Sequence, residues 1–435
     1  MSIESISVAL LGAGTVGSQV ARIMAEDAES FTERIGVPME LVGIAVRDID
    51  APRDTELPRE LLTTDADSII DRADIVVELM GGIEPAYTLV RRALEAGKSV
   101  VTGNKALLAE YGPELYALAN ESGAHISFEA AVAGAIPIIR PIQDSLSGDR
   151  ITRILGIVNG TTNYMLDKMD TTGASYQEVF DEAAALGYLE ADPSLDVDGH
   201  DAAAKAAILA SMAFHTQLRK SDVYTEGISA VTAADMKAAA EDGYVIKLLA
   251  VAELLDAEET GVSVRVHPVL VPREHPLAGV HGGFNAIFIE AENAGELMFY
   301  GAGAGGNPTA SAVMGDLVSA AWRRATGGPA ITEITPLRLP ILPLDKAQAS
   351  FSIAMDVRDE PGVLAEISRI FADNGVSIET IRQNIDAQDA NGNPSAHLRV
   401  VTHRASEANL AATVAALKNV NAVAEVTSVL RVEGA

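Results

Sequence analysis

Ile6-Ser-Val-Ala-Leu-Leu11 runs straight into Gly12-Ala-Gly14-Thr-Val-Gly17, and beyond it Val16, Val20, Ile23 and Met24 recur at helical spacing. The order is strand, glycine turn, helix, which is the context that gives G-x-G-x-x-G its meaning. Glycine permits the tight turn, and the free amides and dipole at the helix start accept a pyrophosphate. A second apolar run, Leu41 to Val46, follows at the distance of a βαβ unit. Glycine-rich turns occur in unrelated α/β domains too, but strand, helix and second strand together point to a dinucleotide site.

Further strands are expected at Ile75–Leu79, Ser99–Thr102 and Ile126–Glu129, with helices at Tyr87–Ala96 and Pro113–Ser122. Such alternation implies a Rossmann-type, doubly wound parallel sheet. The second strand ends in Ala45-Val-Arg47-Asp48, without an acid as its clear last residue. Arg47 can hold a 2′-phosphate, which favours NADP(H), while Asp48 keeps NAD(H) possible. A solvated loop arginine fits the position equally well. Thr102-Gly-Asn104-Lys105 follows the fourth strand at the carboxyl edge, where such sheets bind ligands, so Lys105 is a candidate site residue.

Composition narrows the class. The 435 residues are 48% hydrophobic and 21% charged, enough for two or three domains with real cores. A net charge of −29 argues against nucleic acid or an anionic membrane as partner and fits a cytoplasmic protein. No apolar run reaches the length of about 18 residues needed to span a bilayer, and no signal peptide precedes Ile6. Cysteine is absent. That excludes disulfides, thiolate zinc sites and aldehyde oxidation through a thioester, and leaves alcohol–aldehyde interconversion open.

The chemistry concentrates in Gly187-Tyr-Leu-Glu190-Ala-Asp192-Pro-Ser-Leu-Asp196-Val-Asp198-Gly199-His-Asp201-Ala-Ala-Ala-Lys205. Asp201 and Lys205 stand one helical turn apart, and Ile208, Leu209 and Met212 continue their face, so the pair points inward. On a surface the same pair would contribute only about 0.3–0.5 kcal/mol. A lysine between apolar surface and a carboxylate can take and give a proton, so Lys205 is a candidate general acid/base. The crowded carboxylates fail as a calcium loop, because the register would make Ser194 the first ligand and Lys205 the twelfth. Recognition of a cationic group such as an α-amine suits them better.

After about residue 135 the rhythm changes to an open mixed sheet, at Ile151–Val158, Val262–Leu270, Ala286–Glu292 and Glu296–Tyr300, with Ala-rich helices between. Gly301-Ala-Gly-Ala-Gly-Gly306 permits close approach to a ligand, or a hinge. Pro329, Pro336, Pro340 and Pro343 make 327–349 read as an extended linker. The rest orders as βαββαβ, with Pro361-Gly-Val-Leu opening a helix that Asn374-Gly375 ends.

These residues together resemble homoserine dehydrogenase, over essentially the whole chain. Ala183, Gly187, Tyr188, Asp192, Pro193, Asp196, Gly199, Asp201 and Lys205 meet that family's long signature, with Leu189 the one departure. Residues 351–435 are similar to an ACT domain, and no aspartokinase-like segment precedes Ile6, as in the monofunctional form. The resemblance implies reversible reduction of L-aspartate 4-semialdehyde to L-homoserine in threonine, methionine and isoleucine biosynthesis. It implies Lys205 as proton donor, with Lys105 beside it, and Glu190, Asp196 and Asp201 binding substrate. Thr15, Val16, Gly187 and Gly303 correspond to cofactor contacts, beside Gly12, Gly14, Gly17, Ala45 and Arg47. Glu129, Val132, Gly134 and Ile136 match a loop that holds sodium through one carboxylate and backbone carbonyls.

The expected domains are a dinucleotide-binding domain (1–135, with a helix at 305–326 returning to it), a substrate-binding, catalytic and dimerisation domain (136–304), the linker (327–349) and the ACT domain (350–435). The ACT edge is expected to pair with a second copy, in a dimer or tetramer, and to receive an effector such as L-threonine. A chain ending near Leu344 is expected to keep its fold. Two rivals stay open: a silent nucleotide- and amino-acid-binding regulator, and an NADP-linked amino-acid dehydrogenase acting on a C–N bond.

Overall fold

The computed structural model describes residues 3–53, 55–189, 192–256, 260–327, 337–386 and 395–434. The chain forms two units drawn from interleaved segments: Met1–Gly160, Asp201–Val223 and Gly283–Arg338 in the first, and Thr161–His200, Tyr224–Gly282 and Leu339–Ala435 in the second. Among the described residues no helix is long and apolar enough to cross a membrane.

In the first unit, Ile6–Leu11 lies inside a six-stranded parallel sheet, between Met39–Ala45 and Ile75–Glu78. Leu62–Thr63 continues the sheet on one side, and Ser99–Thr102 and Ile126–Ser127 on the other. Helices cover the sheet, so its strands are apolar along their length: Val8, Leu10, Ile75, Val77 and Val101 are fully buried. The Thr15–Glu26 helix buries Val20, Ala21 and Met24, and the Gly306–Thr326 helix packs beside it. Residues scattered over the chain thus share one core with the glycine turn.

One helix starts earlier than its sequence suggests. Proline favours a first helical turn, which places the start at Pro113. Instead, Asn104 Oδ1 accepts from Leu107 N at 3.1 Å and caps a helix running Lys105–Ser122, with Pro113 inside it. Lys105 therefore stands at the first helical position. The same unit carries an antiparallel set, Ile151–Ile157, Phe284–Ala291 and Gly295–Ala302. Met298 and Tyr300 on its last strand are exposed.

The second unit is built on Tyr244–Asp256, paired antiparallel with Thr260–Pro272. The first of these strands is not evident from sequence, because a mostly apolar run interrupted only by Lys247 and Glu253 has no period of two and fits a buried helix equally well. Thr260–Pro272 also pairs in parallel with the final strand, Val423–Val432, at Val269–Arg431 and Leu270–Val432. That strand leads into the βαββαβ sheet through Gln348–Arg358, Ser395–Thr402 and Ile378–Asp386. One edge of the module is therefore occupied within its own chain, and among the described residues the edge without a further paired strand is Ile378–Asp386. Helices Val363–Asp373 and Glu407–Leu417 bury Val363, Ile367, Phe371, Leu410 and Leu417 in the module's core.

The described part of 327–349 is not a free linker. Val262 N donates to Pro340 O at 2.9 Å, and Leu342 N donates to Val262 O at 2.8 Å. Nearby, the fully buried Arg265 donates from Nη1 to Glu253 Oε1 at 2.7 Å and from Nη2 to Glu433 Oε1 at 2.8 Å. Burial disfavours its charge, but Glu433 and Glu253 outweigh that and raise its pKa.

Candidate active site

Gly12 has φ +97°, and a Cβ there would fall 2.7 Å from Leu79 O; one on Gly17 would fall 2.1 Å from Gly12 O. Both positions accept only glycine, one for its dihedral and both for space. Gly14 faces open space and begins the Thr15–Glu26 helix with no side-chain cap and no acid in the first turn, so the amides there are left for a ligand. A cavity of about 530 Å³ opens beside the turn, lined by Gly12, Gly14, Ala45, Arg47, Arg53 and Met80 among others. A second, of about 390 Å³, shares Gly14 and Arg53 and reaches Thr15 and Gly306. Size, glycine cradle and free amides all fit a dinucleotide.

Arg47 is exposed and lines the larger cavity. Sequence reasoning missed its companion, Arg53, whose guanidinium donates to the carbonyls of Asp48 at 2.6 Å and Ala51 at 2.9 Å. The role depends on how the loop folds back, which no local pattern reveals.

The lysine–carboxylate cluster forms within the first unit. Asp201 and Lys205, at 6% and 10% side-chain exposure, meet at 2.8 Å between Oδ2 and Nζ. Lys105, 46% exposed, reaches the other carboxylate oxygen, Oδ1. Asn159 Nδ2 donates to Oδ2 at 2.9 Å, and Lys205 Nζ donates to Val158 O at 2.7 Å. Burial would raise the Asp201 pKa, but the ammonium groups of Lys205 and Lys105 outweigh it and hold the carboxyl well below the usual range. It stays ionised and acts as the counter-charge for both lysines. With two of its three N–H bonds spent on Asp201 and Val158, Lys205 keeps one without a partner among the described residues. Asn159 also escaped the sequence reading; its signal is that it is the first polar side chain past the Ile151–Ile157 strand.

The Glu129 loop departs from expectation. Glu129 is buried, and its Oε1 accepts from Ile138 N at 2.5 Å and Ile139 N at 2.7 Å. Oε2 accepts from Arg140 N at 3.1 Å and Arg140 Nε at 3.0 Å. Both oxygens are thus committed to donors, and the carboxylate does not fit as a cation ligand in this arrangement. The main chain fits better: Ala133 is held at φ 57° beside Gly134 at φ 58°, strain of a kind that a bound group can maintain. Gly134 also needs to be glycine, since a Cβ would fall 2.5 Å from Gly303 O. Gly303 in turn is covered by the side chain of Asn285.

Other expected site residues belong to the second unit. Gly187, at φ +79°, turns the chain after the Tyr176–Ala185 helix, and Asp196 sits half-buried on the short Ser194–Val197 helix. Glu190 lies outside the described residues.

Comparison with known proteins agrees with this geometry. Residues 12–129 match the family model for the homoserine dehydrogenase NAD binding domain, 137–318 that for homoserine dehydrogenase, and 351–422 that for the ACT domain. The homoserine dehydrogenase of Corynebacterium glutamicum is 52% identical over 99% of this chain and 96% of its own length. That of Bacillus subtilis is 41% identical over 99% of each. The crystal structure of a homoserine dehydrogenase from Thiobacillus denitrificans superposes with a TM-score of 0.89 at 38% identity, covering 99% of both chains. A hyperthermophilic archaeal homoserine dehydrogenase in complex with NADPH gives 0.59 at 30% identity, over 73% of this chain and 97% of that one. With its glycine cradle, its paired lysines and these relatives, the chain belongs to the homoserine dehydrogenase family and is an NAD(P)-dependent oxidoreductase.

Proposed function

We propose that Lys205 is the general acid/base in the reversible reduction of L-aspartate 4-semialdehyde to L-homoserine, in the pathway to threonine, methionine and isoleucine. The observation that carries this reading is one buried carboxylate, that of Asp201, holding the ammonium groups of both Lys205 and Lys105. A bound nicotinamide cofactor would be held at Gly12, Gly14 and the amides of Thr15 and Val16 and would supply the hydride. Lys205 Nζ–H gives its proton to the aldehyde oxygen as the alcohol forms, and takes it back in the reverse direction. Lys105, at the start of its helix, orients the same oxygen and offsets developing negative charge. Asp201 keeps both ammonium groups in place, and Glu190 and Asp196 receive the substrate amine. Following NADPH absorbance with aspartate semialdehyde, against a keto acid with ammonia, tests the reading. Turnover with the keto acid alone would replace it by C–N chemistry, and turnover with neither by a regulator.

The finer assignments extend the same reading. Arg47, with Arg53 beside it, favours NADP(H) over NAD(H). Sodium is held by the main-chain carbonyls of Glu129, Val132, Gly134 and Ile136. L-threonine is the effector of the ACT module, near Gly362–Val363. A second copy pairs with the chain to form a dimer or tetramer, a reading supported by the open Ile378–Asp386 edge and by the exposed Met298 and Tyr300. The enzyme works in the cytoplasm, in keeping with its charge and lack of cysteine.

A further inference from the structure

Glu78 closes the Ile75–Glu78 strand at the carboxyl edge of the parallel sheet and is fully buried. Among the described residues, the groups that donate to it are neutral. Met80 N donates to Oε1 at 2.8 Å and Thr102 Oγ1 donates to Oε2 at 2.6 Å, with Gly81 N and the Asn104 side chain also contributing. A carboxylate buried without a cation is costly, and an apolar residue would serve a plain strand end better.

The bonds around it close a ring. Thr102 Oγ1 accepts from Asn104 N at 3.0 Å, and Asn104 Oδ1 caps the helix that begins at Lys105. Asn104 Nδ2 returns to Gly82 O at 2.7 Å. One side of the ring is the turn at 79–82, which supplies Leu79 and Met80 to the dinucleotide cavity and contains Gly81 and Gly82, both at positive φ. The other side is the turn that seats Lys105. Two adjacent glycines hold no conformation of their own, so the bonds from Met80 to Glu78 and from Asn104 to Gly82 fix the turn.

We propose that Glu78 is a positioning residue that sets the cofactor-lining turn and the Lys105 turn in one fixed register. The proposal rests on the reading of Lys105 as a group at the reacting centre. The test uses the full chain with Glu78→Ala, Glu78→Gln and Thr102→Val, alone and combined with Lys105→Ala. NADPH affinity is read by fluorescence titration without substrate, and kcat, KM and Tm are measured alongside.

Glu78→Ala is expected to weaken NADPH binding about tenfold and to lower kcat roughly 10²-fold, as a misplacement on the ångström scale does. Glu78→Gln, which keeps an acceptor for Met80 N, should recover most of both losses. In the Lys105→Ala background the further loss in kcat should shrink to within about threefold, because the two changes act through one group. Should Glu78→Ala not fold, Thr102→Val reads the same ring without removing the carboxylate. A lowered Tm with unchanged NADPH affinity and kcat would overturn the proposal, as would an equal loss in both Lys105 backgrounds. If Lys105→Ala alone leaves kcat intact, it is the reading of Lys105 that fails, and NADPH affinity still decides whether Glu78 sets the cofactor turn.

Discussion

Asp201 Oδ2 lies 2.8 Å from Lys205 Nζ one helical turn away, with both side chains almost wholly buried. Because Oδ1 of the same carboxylate takes Lys105, one negative charge organises two positive ones drawn from different helices. Removing either lysine leaves the carboxylate a partner; removing the carboxylate leaves two ammonium groups facing each other.

Lys205→Ala should therefore lose roughly 10²–10⁴-fold in turnover while NADPH affinity barely changes. Asp201→Asn should lose at least as much and also raise KM for the aldehyde. Steady-state kinetics with a fluorescence titration of NADPH check both. Wild-type-like turnover in Lys205→Ala would remove the lysine from the mechanism.

Arg47→Ala should lower kcat/KM with NADPH while leaving NADH nearly unaffected, since only NADPH carries the phosphate that the guanidinium would meet. The measured quantity is the ratio of the two efficiencies. An unchanged ratio makes Arg47 a loop residue and passes the role to Arg53.

If main-chain carbonyls of the Glu129 loop hold sodium, exchanging sodium for a bulky organic cation should lower Tm or rate. Glu129→Gln should weaken the fold itself, because its carboxylate ties down Ile138, Ile139 and Arg140. Identical melting and rate in the two buffers would count against the cation.

Lys247 offers a pH test. It is 2% exposed, donates to Val280 O at 2.6 Å and Asn163 Oδ1 at 3.1 Å, and burial lowers its pKa to about 8 against the opposing pull of Asp167 and Asp170. The folded value lies below the unfolded 10.5, so between those values the unfolded chain binds more protons. This lysine therefore opposes folding fully below about 8, and its penalty, about 3 kcal/mol, fades as pH rises toward 10.5. Lys247→Met should flatten that rise in urea midpoints measured across the window. Parallel curves for the two proteins would show that the lysine does not titrate there.

From sequence alone, a chain ending near Leu344 keeps its fold. The pairing of Arg265 with Glu433 revises that expectation, because truncation strips a buried guanidinium of one partner and Thr260–Pro272 of its neighbour. Breaking such a pair costs about 3–5 kcal/mol, so both the truncated chain and Glu433→Ala should melt at lower temperature than the whole protein. The truncated chain should also lose any inhibition by L-threonine; full inhibition would place the effector elsewhere.

The glycine turn and the Asp201–Lys205 pair were legible because each depends on spacing within one turn or one helix. Gly12 and Gly17 are needed where their own backbone crowds, and the pair follows from a period of four. Asn159, Arg53 and Glu78 were not legible, since each acquires its role from partners remote in sequence or from a loop that folds back. Tyr244–Asp256 was hidden by its own apolarity, and Glu129 by a resemblance that named its residue but not the amides that occupy its oxygens.

The Arg265–Glu433 contact spans 168 positions of sequence. Translation proceeds N-terminus first at about 5–20 residues per second, so Arg265 waits roughly 8–34 s for its second carboxylate to be made. Throughout that interval the Thr260–Pro272 strand has an open edge and a half-compensated charge, while every strand of the first unit's parallel sheet has already been synthesised. Until Glu433 is made the second unit is incomplete, which makes nascent protein, and not the mature enzyme, the species most exposed to aggregation and to chaperone capture.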